Sequence, residues 1–143
     1  MAQKSKMTAD FEKLVYTSDI LRSSWEDQLV IFKNLKNTRT PNQGISNFIE
    51  WILRLHYSEA LFASSSLWRL MISKPIPDGK LNYQQTLKIE FDSRIALYTM
   101  EYSDWDTIDT KEDHEKAILW KTKCTWIELV PRFKDFLHWN TQW

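Results

Sequence analysis

Seven carboxylates stand within the sixteen residues 101-EYSDWDTIDTKEDHEK-116: Glu101, Asp104, Asp106, Asp109, Glu112, Asp113 and Glu115. Lys111 and Lys116 offset two of them, so the segment carries −5 and the rest of the neutral chain +5. Such a cluster could chelate calcium, supply an acid–base pair, or meet a basic protein. Counting Asp104 as the first position of a calcium loop puts Asp106 third and Glu115 twelfth. Ile108 then falls fifth and Asp109 sixth, where the sharp turn needs glycine. The residues before Asp104 also read as strand, whereas that loop follows a helix. Calcium is not expected. A glycosidase-type pair depends on separation in space, and nothing in the spacing singles one out. Two readings remain for the connector: a solvated loop, or a negative surface for a basic partner with Trp105 as its aromatic anchor.

The other reactive side chains point away from catalysis. His56, His114 and His138 never fall three or four apart, so no helical metal face exists. His114, set among carboxylates, reads as a surface residue whose imidazolium is favoured. Cys124, in 122-TKCTW-126, matches no nucleophile signature and reads as a small buried hydrophobe on a strand. Ser64, Ser65 and Ser66 lack a nucleophile elbow and read as a turn into a strand. Two glycines, Gly44 and Gly79, cannot build a phosphate-cradling loop, which needs several at fixed offsets. No catalytic residue, cofactor or metal is expected. Trp120, Lys121, Lys123, Trp126, Arg132 and Lys134 mix aromatic and basic types, as single-strand nucleic-acid binders do. On a strand, however, Trp120 and Trp126 face one side and the lysines the other, which separates stacking from charge.

Helices and strands must position these groups. Residues 1–8 read as a disordered leader, followed by a short turn capped by Thr8 with Phe11, Leu14 and Val15 on one side. Ser23 and Glu26 form a capping box ahead of Trp25, Leu29 and Phe32 at helical spacing. The polar 37–44, with Pro41 and Gly44, is a loop, and Asn47 and Glu50 repeat the box before the apolar 48–55. Beyond residue 66 the period falls to two. Strands are expected near 67–73, 83–91, 95–102 and 117–125, with turns at Pro75–Gly79 and Asp92–Arg94. A third box, Thr125 and Glu128, precedes a short turn and a helix that starts near Pro131. Helices, then a four-stranded antiparallel meander, then a closing helix define an α+β single domain over 1–143.

Composition narrows the class further. At 143 residues, 43% hydrophobic and 27% charged, the chain can bury a core without staples. One cysteine fits a reducing, cytoplasmic setting. No apolar run approaches the roughly 20 residues that span a bilayer, and the leader lacks a secretory pattern. Zero net charge gives no general pull toward nucleic acid or membrane.

The meander 87-LKIEFDSRIALYTMEYSDWD-106 and the ending 118-ILWKTKCTWIELVPRFKDFLHW-139 resemble, in layout, the immunity proteins of bacterial contact-dependent inhibition and related polymorphic toxin systems. The likeness covers about residues 67–139 and carries over no residue role. It implies a small cytoplasmic domain without chemistry that binds a cognate toxin and blocks its basic cleft. The expected contacts are Asp104, Trp105, Asp106, Asp109, Glu112, Asp113 and Glu115. The alternative is a single-strand nucleic-acid-binding or adaptor domain, and oligomeric state is open.

Overall fold

The computed structural model describes residues 15–35, 42–107 and 114–143. Helix α1 spans Ser18–Asn34, and Thr17 caps it by accepting from the Ile20 N–H at 3.4 Å. Asp19 in the first turn and Lys33 in the last complement the helix dipole. The expected box at Ser23 and Glu26 therefore lies inside the helix. Ser24 points inward instead, and its hydroxyl takes the Ala63 N–H at 3.0 Å. Helix α2 spans Asn42–Leu53, so Gly44 and Asn47 belong to it rather than to a loop and a cap. Gln43 donates to the Asn47 side chain at 2.8 Å along the outer surface of that helix. The expected leader, with Phe11 and Leu14, lies outside the described residues. Val15 is exposed and not helical.

Five antiparallel strands follow in simple meander order: β1 (Phe62–Ser66), β2 (Arg69–Pro75), β3 (Leu81–Asp92), β4 (Leu97–Asp104) and β5 (Ile118–Cys124). The fold is α+β, with one strand more than expected. The additional strand is the serine run, where a turn was expected. Serine has weak strand preference, but partners on both sides hold this segment extended. Ala63 pairs with Ile72 and Ser65 with Leu70. On the other side α1 supplies Ser24 to Ala63 and the Trp25 indole N–H to the Leu61 carbonyl at 2.9 Å. The helix thereby blunts part of an otherwise open sheet edge.

The β1–β2 turn puts Leu67 at φ +58, where a Cβ is crowded, and leaves its side chain 74% exposed. Leu67→Gly is expected to raise stability by about 1 kcal/mol, because strain is relieved and little packing is lost. A thermal midpoint about 3 °C higher would show it. A lower midpoint would mean that the exposed leucine side chain stabilises the turn.

Strand parity sets the two faces. Leu70, Ile72, Leu87, Ile89, Tyr98, Met100, Tyr102 and Cys124 point inward onto Trp25, Phe32, Phe48, Ile49 and Ile52 of the helices. Helix α3, Leu129–Trp139, closes this layer with Phe133 and Phe136 fully buried. Its entry matches the expected box: the Glu128 carboxylate accepts from the Thr125 N–H at 3.1 Å and the Thr125 hydroxyl at 2.9 Å. Those bonds hold the Glu128 carboxyl below its usual range. Pro131 sits in the first turn of α3, where its missing N–H costs nothing. Burial pushes the Cys124 thiol up to about 11, so it stays protonated and inert near neutral pH.

Candidate partner-binding site

The acidic connector leaves the sheet between β4 and β5. Along β4 the inward positions are Tyr98, Met100 and Tyr102, and the same parity carries Asp104 inward. Asp104 is only 8% exposed. Its carboxylate accepts from Gln85 Nε2 at 3.2 Å and from the Asp106 N–H at 3.0 Å, so it fixes the turn rather than facing a partner. Trp105 opens the short 3-10 turn Trp105–Thr107 and is half-buried. Asp106 is exposed and accepts from Asn82 Nδ2 at 3.0 Å. Glu115 is exposed in the turn His114–Ala117 that leads into β5. Asp109, Glu112 and Asp113 lie outside the described residues. Among the described residues neither Asp106 nor Glu115 has a basic partner, whereas Asp92, Glu50, Glu90 and Asp135 all have one.

Glu101 belongs to this surface and was not among the expected contacts. It sits on the outer face of β4, in register with Lys88 on β3 and Lys121 on β5. A shallow depression of about 520 Å³ brings it beside Glu115, Leu119 and Lys121. The alternation of 98–102 carried the signal: Glu101 shares the parity of Thr99, opposite to Tyr98, Met100 and Tyr102. The outer face of the sheet is thus mixed in charge here, with Glu101 set between Lys88 and Lys121.

Trp120 and the lysines of β5 separate as their parity predicts, but Trp126 does not share the inner face with Trp120. The Trp120 ring packs 5.2 Å from Phe136, inside, while Lys121 and Lys123 are exposed outside. Trp126 has left the strand: it lies in the 3-10 turn Trp126–Glu128 and is 56% exposed. Arg132 is tied to Glu128 and Asp135, and Lys134 lies over the Trp51 ring at 5.7 Å. Trp120 therefore offers no stacking platform for a base. The His56 ring centre lies 4.3 Å from that of Tyr57 at a tilt of 42°, and His138 is in the last turn of α3. Among the described residues no three His, Cys, Asp or Glu side chains gather as metal ligands, and no helix is long and apolar enough to cross a membrane.

No family model matches the chain, and no curated protein or solved structure matches it.

Proposed function

We propose that this chain is a non-catalytic protein-binding domain that works as a cytoplasmic immunity protein. Its acidic β4–β5 connection meets the basic cleft of a cognate toxin and blocks it. The observation that carries the reading is unneutralised charge. The segment 101–116 holds −5, and Asp106 and Glu115 are exposed with no basic partner among the described residues. Side chains that form no ion pair with the described residues can form an external one. Trp105, next to Asp106 in the same turn, is half-buried, and partial burial limits the entropy it loses on binding. Nothing in this reading asks the domain for chemistry.

Charge at the rim of an interface steers encounter more than it holds the complex. The test is co-purification with the product of the adjacent gene, followed by stopped-flow association. A stoichiometric complex is expected, together with protection of cells that express the toxin. Asp106→Asn, Asp109→Asn and Glu115→Gln together should slow association about tenfold at low salt and flatten its salt dependence. Asp104 is left intact, because its bonds to Gln85 and Asp106 would confound binding with folding. Unchanged kinetics in the triple variant would move the interface elsewhere. Turnover of a substrate by the purified domain would overturn the reading altogether.

A further inference from the structure

A second, separate surface lies at the opposite edge of the sheet. There α1 and β1 border a groove of about 420 Å³, lined by Ile20, Phe62 and Ala63 below and by Asp19, Ser23 and Asp27 along one wall. Asp19, Ser23 and Asp27 are spaced i, i+4, i+8, so they form one stripe on α1. All three are exposed, and neither aspartate has an ion-pair partner among the described residues. Among the described residues no lysine or arginine lines the groove. The floor also holds Gln28, which is 8% exposed and whose side-chain oxygen has no hydrogen-bond partner. A buried amide oxygen without a donor is destabilising, so it is a standing demand for one.

We propose that this groove receives an extended basic segment of a partner protein, with two arginine or lysine side chains about four residues apart. The spacing follows from helix geometry. Eight residues of α1 rise about 12 Å, which one guanidinium cannot bridge. Four residues of extended chain advance about 13 Å, so basic side chains at the first and fifth positions reach Asp19 and Asp27 together. The apolar floor takes their aliphatic stems, and Gln28 Oε1, which lacks a donor among the described residues, is the acceptor offered to a backbone N–H between them. Ser24, on the same floor, is already committed to Ala63. This surface is independent of the β4–β5 connection, since β1 and β5 are opposite edges of one sheet.

The probe is a blocked pentapeptide with arginine at its first and fifth positions and threonine and valine between. It is titrated into the full chain while backbone and glutamine side-chain amide resonances are followed. Saturable shifts are expected at residues 19–28 and 62–64 and at the Gln28 side chain. An isomer with the two arginines adjacent should bind at least fivefold more weakly, and a glutamine-substituted neutral peptide should give no saturation. Asp19→Asn with Asp27→Asn should weaken binding at least fivefold, whereas Glu59→Gln with Asp135→Asn, equal in charge, should not. Ser23→Lys, which sets a cation between the aspartates without altering the floor, should also weaken it. The proposal is overturned by an absence of saturable shifts, by equal affinity for the adjacent isomer, or by shifts centred on Asp106 and Glu115. The last outcome would instead favour the acidic connection as the general site for basic peptides.

Discussion

Trp25→Ala is expected to remove about 4 kcal/mol of folding stability, a large share of the roughly 5–15 kcal/mol that an ordinary domain possesses. Trp25 is fully buried at the centre of the contact between α1 and the sheet. Deleting its indole leaves a cavity walled by α1, α2 and the inner sheet face, which cannot all close inward. It also removes the bond from Nε1 to the Leu61 carbonyl, at the point where the chain enters β1. Trp25→Phe separates the two losses. It keeps most of the ring volume but orphans that carbonyl, and should cost about 2 kcal/mol. The readout is the urea midpoint by tryptophan-independent circular dichroism. If both variants unfold at the wild-type midpoint, α1 is not part of the cooperative unit, and the groove it borders would lose its rigid wall.

The same residue shows how far the sequence could be read. The stripe Trp25, Leu29, Phe32 is legible because a helix must repeat its apolar face every three to four residues. The start of α1 was not legible. Ser23 and Glu26 have the spacing of a capping box, yet Thr17 wins, because Ser24 is needed inside the helix to hold Ala63. That requirement comes from residues thirty-nine positions away and leaves no local trace. The strand Phe62–Ser66 was missed for the same reason: its extended shape is imposed by β2 and α1, not by serine. By contrast Thr125 and Glu128, Pro131, and the lysines of β5 are set by neighbours in sequence, and their reading agrees with the structure.

The candidate site divides along similar lines. That carboxylates concentrate between β4 and β5 is plain from composition. Which of them face outward depends on parity inherited from the strand. Asp104 continues the inward row of Tyr98, Met100 and Tyr102, so it was readable as a turn-fixing group once the row was extended by one position. Glu101, on the outward row, was readable the same way. The stripe Asp19, Ser23, Asp27 is visible in the sequence, but it becomes a groove only when β1 is laid beside it.

Gly44→Ala should destabilise the domain by about 2 kcal/mol, although alanine is the better helix former by roughly 0.5–1 kcal/mol. In α2 Gly44 occupies the first turn, where backbone N–H groups lack intrahelical acceptors. Its N–H donates to the Tyr98 hydroxyl instead, so a buried side chain of β4 completes the helix end. Burial outweighs that bond and leaves the Tyr98 hydroxyl harder to ionise than an exposed one. A Cβ at Gly44 would stand 2.6 Å from Tyr98 Cζ, closer still to the hydroxyl, and 3.0 Å from Trp126 Cβ. Tyr98 cannot swing aside, because its ring is clamped at 5.1 Å against Phe91 and is 3% exposed. The helix end must therefore lift, at the cost of both packing and the hydrogen bond. Tyr98→Phe alone should cost about 1 kcal/mol, the value of the lost bond. In the double variant the hydroxyl is gone, part of the clash with it, and the alanine recovers its helical preference. The pair should then be less harmful than the sum of the singles by about 1 kcal/mol, as contacting residues behave. Strict additivity in the denaturation midpoints, or a stabilised Gly44→Ala, would show that α2 does not seat on Tyr98 through this glycine.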